Sequence, residues 1–327
     1  MEKKAPKMTR LRNILIVLAA AFLFGQGPRA CACACGCGVF EVGTGALYPT
    51  GPGVKISTEW DYMDQNQNWS GTSSAPAANN DDKEIRTNFF KLEGEFMFNH
   101  SWGVALEVPV WDRYFSTAGS GSLVNLTELG LADIRIMGMY TGFSVDMSTG
   151  IMFGVKLPTG NDTYFNDPDT EIGTGSTDLL LGFYHFGSIL RSSNWTWTTD
   201  FRLDIPFLFQ NGYLPGAEAD ASFGVNYKGL YLGDLNIVPL FQVVGSYRLP
   251  DESAPAEVTG NADGSVNYNE GDPGNSGYAR VLAVPGLDLE WNGLRLFGTV
   301  AIPVYENVTG NQLAAPFLVR VVVSYSF

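Results

Sequence analysis

The sequence predicts an all-β fold: a transmembrane antiparallel up-and-down β-barrel of about twelve strands, preceded by an N-terminal signal peptide. Three observations carry this expectation. Segments of strict apolar and polar alternation recur from Val54 to Phe327, the period-two signature of strands with one face against an apolar medium. The connections between these segments are alternately short and long. No stretch beyond the first few tens of residues is apolar and long enough for a spanning helix. A spanning structure must then be a closed barrel, the other way to satisfy backbone hydrogen bonds in lipid.

The N-terminus has the layout of an export signal. Lys3, Lys4, Lys7, Arg10 and Arg12 precede the apolar run Ile14 to Phe24, and small residues follow. Ala30-Cys31-Ala32 and Ala32-Cys33-Ala34 both fit a small-residue cleavage site, so residues 1–32 are assigned to the signal peptide with the cut between 30 and 34. Residues 33–53 form a Cys- and Gly-rich periplasmic segment, and 54–327 the barrel. The chain carries a net charge of −14, and residues 1–30 contribute +5, which leaves about −19 for the exported part. Nucleic acid is excluded as a partner, because phosphate binding needs basic patches.

Taken in order, the first strand sets Val54, Ile56, Thr58, Trp60 and Tyr62 outward against Lys55, Ser57, Glu59 and Asp61. The second sets Phe90, Leu92, Phe96 and Phe98 against Lys91, Glu93 and Glu95. The third, Trp102 to Trp111, opposes Val104, Leu106, Val108 and Val110 to Glu107. The fourth opposes Ile134, Ile136 and Tyr140 to Asp133 and Arg135. The fifth opposes Val145, Met147, Ile151, Phe153, Val155 and Leu157 to Asp146 and Lys156. The sixth, Ser176 to Phe186, is apolar on both faces and contains Asp178.

The second half alternates more cleanly. Trp195, Trp197, Phe201, Leu203, Ile205 and Phe207 oppose Asp200, Arg202 and Asp204. Ala219 to Tyr227 forms the eighth strand and Leu235 to Tyr247 the ninth, with Arg248 facing inward at its end. The tenth opposes Val281, Leu287 and Leu289 to Arg280, Asp288 and Glu290. The eleventh runs from Leu294 to Tyr305, joined to the tenth by Asn292-Gly293, a type I′ hairpin signal. The last sets Val319, Val321, Val323, Tyr325 and Phe327 outward, with Arg320 inward.

Short connections fall at Asn99–Ser101, Thr141–Phe143, Gly187–Asn194, Lys228–Gly233 and Asn292–Gly293. Long ones fall at Asp64–Lys83, Asp112–Glu128, Pro158–Gly175, Gln210–Gly216, Leu249–Ser276 and Glu306–Ala315. Short periplasmic turns and long extracellular loops are the rhythm of outer-membrane barrels, and an even strand count returns both termini to the periplasm. Trp60, Trp102, Tyr140, Trp195, Trp291 and Tyr325 suit the interfacial aromatic girdles of such a barrel.

Two resemblances sharpen this reading. The last strand, ending on Tyr325, Ser326 and Phe327, resembles the terminal strand of bacterial outer-membrane barrels. There the final Phe and alternate aromatics serve as an assembly signal. Gly130, Leu131, Asp133, Gly138 and Tyr140, then Phe153 to Gly160, then Gly173 to Gly182, resemble the outer-membrane transporters labelled phenol-degradation meta-pathway proteins. That resemblance implies an outer-membrane barrel passing small aromatic or other hydrophobic compounds. Its partners would be outer-membrane lipid and lipopolysaccharide, the barrel-assembly machinery and a small-molecule solute.

Candidate chemistry lies in three places. Cys31, Cys33, Cys35 and Cys37 are the only cysteines, spaced so that thiolates can converge on a soft metal such as Cu(I) or Zn(II). Disulfides, a processing remnant and lipid attachment are the competing readings in an oxidising compartment. The loop bearing Asn261, Asp263, Gly264 and Glu270 has an EF-hand cadence, and Ca²⁺ competes there with a plain acidic loop; Thr259 departs from the Asp expected at its first position. The inward charges form the third place, either as ion pairs that brace the barrel or as a ladder lining a water-filled path. No nucleophile–base pairing accompanies His100 or His185, so enzymatic activity is not expected. The function expected is a narrow channel for small solutes. The rival is a closed structural or docking barrel whose Cys-rich start engages metal or a periplasmic partner.

Overall fold

The computed structural model describes residues 48–77, 80, 82–118, 123–161, 171–189, 194–209, 213–253, 259–260, 266–267 and 275–327. One hydrogen-bonded sheet of sixteen strands contains a closed ring of twelve. These are β1 (Gly53–Gln65), β2 (Asp82–Met97), β3 (Trp102–Thr117), β4 (Ile134–Tyr140), β5 (Thr149–Leu157) and β6 (Ser176–Ser188). They continue as β7 (Trp195–Phe209), β8 (Glu218–Tyr227), β9 (Leu235–Arg248), β10 (Tyr278–Trp291), β11 (Leu294–Ala314) and β12 (Leu318–Ser326). Every neighbour is antiparallel, and β12 pairs with β1 from Lys55↔Ser326 to Met63↔Leu318. Beyond that ladder, Phe327 and Val54 exchange two backbone hydrogen bonds of 3.0 Å each. Closure leaves the ring no free edge.

The ring is inverted relative to a water-soluble protein. Outward residues such as Ile56, Leu92, Leu106, Phe153, Phe223, Phe241 and Val323 are exposed, whereas Ser57, Asp61, Glu107, Asp178, Asp200, Gln242 and Arg320 are buried. An apolar surface that runs round every strand has hydrocarbon as its natural solvent. At the rim of short turns, outward aromatics gather: Trp102 against Tyr140 at 4.7 Å, Trp195 against Tyr227 at 4.9 Å and Tyr325 against Phe327 at 5.6 Å. Trp60 lies beside Tyr62, toward the rim of long loops.

Local chemistry sets the turns. Asn292 and Gly293 have φ of 47° and 82°, the left-handed pair that a two-residue hairpin demands. The Asn99 side chain accepts hydrogen bonds from the backbone of Ser101 and Trp102 at 2.8 and 3.0 Å, fixing the turn after β2. The turn before β5 corrects the sequence reading. It spans residues 141–148, so Val145, Asp146 and Met147 are not strand residues. Val145 is 96% exposed and Met147 fully buried, the reverse of one shared outward face. Asp146 leaves the lumen altogether: its carboxylate accepts the backbone N–H of Ser148 at 3.1 Å. Met147 turns inward because its φ of 55° breaks the alternation.

Two pieces extend the wall beyond the ring at the long-loop rim. Val124–Leu131 pairs with the outer half of β3, and Gln67–Gly71 with the far end of β11.

Candidate functional site: the barrel lumen

The inner face is organised by cross-strand pairs of opposite charge. Lys55 opposes Glu95 and Glu59 opposes Lys91 in the β1–β2 register, and their side chains meet at 2.5 and 3.2 Å. Asp61 opposes Arg320 across the closing β1–β12 seam, with Nε to Oδ1 at 2.8 Å and Nη2 to Oδ2 at 3.3 Å. Lys156 pairs with Asp178 on β6 and lies 3.8 Å from Asp204 on β7. Arg135 reaches Glu107 at 3.5 Å on the adjacent strand, and Arg202 approaches the same carboxylate at 3.9 Å from β7. The Arg202 contact joins strands that are not neighbours, so it spans the lumen rather than bracing one seam. Near the short-turn rim Arg295 pairs with Asp288 and with Glu290, the latter at 2.8 Å. Asn236 donates to Glu290 at 2.8 Å. Buried charges at low dielectric persist only with such partners.

Two aspartates hold the long loops, and the first of them, Asp133, also lines the ≈ 110 Å³ space beneath those loops. Asp133 is 5% exposed and accepts from the backbone N–H of Gly160 at 3.0 Å, from that of Thr174 at 2.8 Å and from the Thr174 hydroxyl at 2.7 Å. Gly160 and Gly173 pass so closely that a Cβ on Gly160 would stand 2.6 Å from the Gly173 Cα. The three stretches that carry the transporter resemblance therefore converge on one carboxylate. Asp251 does the same on the other side of the rim, accepting from Gly216 N–H and from Arg248 at 2.7 Å each. Arg280 stacks on Tyr278, 4.4 Å from the ring centre, and Tyr278 donates to Glu218 at 2.8 Å.

Tyr48, which precedes β1, is the residue that alternation could not reveal. Its ring stacks on Tyr184 at 3.9 Å and 7°, and its hydroxyl donates to Asp200 at 3.0 Å. Asp200 also accepts from Ser222 at 2.7 Å. A vestibule of ≈ 650 Å³ opens at the short-turn rim, walled in part by Tyr48, Lys55 and Glu95. The same three residues wall a void of ≈ 30 Å³ deeper in. Glu59 and Lys91 separate that void from one of ≈ 110 Å³ nearer the long loops. Arg135, Asp204 and Glu218 line both that space and another of ≈ 60 Å³ beside it. Voids that share lining residues thus recur from the short-turn rim to the long loops.

Cys31, Cys33, Cys35 and Cys37 lie outside the described residues, as do Asn261, Asp263 and Glu270. Among the described residues no group of His, Cys, Asp and Glu is arranged to hold a metal. His185 meets Thr149 at 2.6 Å and packs on Trp197, while His100 sits in the turn after β2.

The chain matches an outer membrane channel from Pseudomonas putida F1 with a TM-score of 0.61 at 10% identity, covering 88% of this chain and 100% of that one. The fold is that of a bacterial outer-membrane barrel. The β-domain of the Bordetella autotransporter BrkA matches with a TM-score of 0.47 at 8% identity, over 84% of this chain and 100% of that one. The translocator domain of the autotransporter NalP from Neisseria meningitidis gives 0.41 at 11%, over 98% and 96%. No family model matches the sequence, and no curated protein matches it.

Proposed function

We propose that this barrel is a narrow outer-membrane channel for small solutes, with both termini in the periplasm. The observation that carries the reading is the file of voids through the lumen, from the ≈ 650 Å³ vestibule past Tyr48 to the ≈ 110 Å³ space under the long loops. A barrel built only as a rigid post would gain more from packed apolar side chains than from paired charges, because desolvating a charge pair costs much of what its attraction returns. The name of the Pseudomonas putida F1 structure, an outer membrane channel, supports the same reading. The finer reading, a transporter of the meta-pathway type for small aromatic or hydrophobic compounds, rests on the three sequence stretches that meet at Asp133.

The void sizes require side chains to move during passage. Tyr48 and the Lys55–Glu95 pair stand between the vestibule and the first inner void, which at ≈ 30 Å³ has room for about one water-sized occupant. Single-channel recording of the purified barrel in a planar bilayer tests the proposal. The expected result is small, flickering conductance steps; complete silence across voltage and salt would overturn it and leave the closed docking barrel.

A further inference from the structure

The two sides of the inner wall differ in what they offer a solute. On β1 to β7 the lumen-facing charges keep part of their surface open. The side chains of Lys91, Arg135, Arg202 and Asp204 are 15, 18, 19 and 26% exposed, although each has a partner of opposite charge within 4.0 Å. The same four residues border the voids of ≈ 30, ≈ 60 and ≈ 110 Å³. Ala105 on β3 and Met152 on β5 border the ≈ 30 Å³ void as well, so this side stays open where its charges thin out.

On β9 to β12 the inward faces are solid. Arg295 lines the vestibule, but two residues farther along β11 Phe297 is fully buried, clustered with Leu240 of β9 and Val322 of β12. A second cluster follows toward the long loops, with Val244, Leu282, Val284, Ala301 and Leu318 as its members on these strands. Val244 is 0% exposed and Val322 1%, and even the polar Gln242 and Thr299 between them are buried. A Cβ at Gly286 of β10 would stand 2.5 Å from Thr299 Cγ2 and 2.9 Å from Leu240 Cδ1, so side chains from both neighbouring strands fill the space over this glycine. A void of ≈ 30 Å³ touches the far end of the second cluster, at Leu282, Ala301 and Leu318. It shares no lining residue with the vestibule or with the three voids on the other side, which are linked to one another by common residues.

Water and ions follow polar surface. A narrow apolar space excludes them, and an ion forced into one loses its hydration with nothing in exchange. Charged side chains on one side and close-packed hydrocarbon on the other therefore divide the lumen lengthwise. We infer that solutes travel along a wet lane on the inner faces of β1 to β7, while β9 to β12 present a dry wall that they do not enter. This inference refines the channel proposed above and rests on it.

The test places one thiol on each side of the lumen. The full chain, with Cys31→Ser, Cys33→Ser, Cys35→Ser and Cys37→Ser, receives either Ala105→Cys in the lane or Val322→Cys in the wall. Each folded barrel is exposed to Ag⁺, a small hydrated cation that caps thiols, and then unfolded and labelled with a maleimide. Loss of labelling shows that Ag⁺ reached the thiol. Ala105→Cys is expected to be protected at least about tenfold faster than Val322→Cys, because only a wetted thiol meets the ion. In a planar bilayer Ag⁺ should also block the current of Ala105→Cys and leave that of Val322→Cys unchanged. Where heat-modifiable gel mobility shows that a variant has not folded, Met152→Cys replaces Ala105→Cys and Val244→Cys replaces Val322→Cys. Equal protection of the two thiols, protection of neither, or faster protection in the wall would each overturn the partition. A barrel that passes no current yet shows the expected difference in protection keeps the partition and loses the channel.

Discussion

Arg320 is buried at 2% exposure, and its guanidinium is shared between Asp61 and Glu59 at the seam that closes the ring. Replacing it by Met leaves Asp61 buried and unpartnered, which should cost about 3–5 kcal/mol in urea unfolding of the lipid-folded barrel. The double variant Asp61→Leu, Arg320→Met removes both charges and should recover most of that loss; an equal loss in both variants would show that the pair is not what holds the seam. Asp133 makes a different prediction, because its three acceptor contacts hold loops and not strands. Asp133→Ala orphans donors close to the rim, where water can partly replace them, so the cost should be on the order of 2–3 kcal/mol. Its signature should be faster proteolytic cutting between residues 158 and 175, with the barrel's gel mobility unchanged. Unaltered cutting would remove Asp133 from the role of loop clamp.

At the level of single strands, most of the architecture is legible in the amino-acid sequence. Alternation is a local signal, and lipid on one side with buried charge on the other enforces it strictly. It failed at residues 145–147, where a left-handed Met147 gives the turn before β5 a shape that period-two counting cannot express. The closing strand shows the remaining limit of a local signal. Phe327 is 65% exposed and bonds to Val54 through its backbone, so its ring adds little to the finished fold. Deleting Phe327 should therefore sharply lower the amount of protein inserted in the outer membrane of cells. The same purified chain should refold in detergent nearly as well as the parent, read by gel mobility. Equal loss in both settings would make the residue a stability element rather than an assembly signal. The hairpin at Asn292-Gly293 was legible for a firmer reason, since its two positive φ values admit few residue types.

The lumen emerges only at the scale of the whole molecule, because its contacts join residues far apart in sequence. The inward faces could be read strand by strand, but which carboxylate meets which cation depends on the register of the closed ring. Tyr48 was not legible at all: it belongs to no alternating segment, and its partners Tyr184 and Asp200 become neighbours only when the barrel closes. Tyr48 is also where the channel proposal makes its sharpest claim. If solutes pass from the vestibule to the inner voids, the stacked ring and its hydrogen bond to Asp200 are the first obstruction they meet. Tyr48→Ala should then raise single-channel conductance severalfold. Tyr48→Phe, which keeps the stack and loses the bond, should leave the open current near that of the parent while lengthening its openings. Both variants should keep the folded barrel's gel mobility, because Tyr48 precedes β1 and takes no part in the wall, although Tyr48→Ala gives up a buried, stacked ring and should lower urea stability. If residues 1–30 are removed as the sequence leads one to expect, the remaining acidic balance of about −19 further predicts a cation-selective reversal potential under a salt gradient, retained in Tyr48→Ala because that change removes no lumen charge. Unchanged conductance in Tyr48→Ala would move the obstruction deeper, to Arg202 and Glu107, whose contact spans the lumen between β7 and β3.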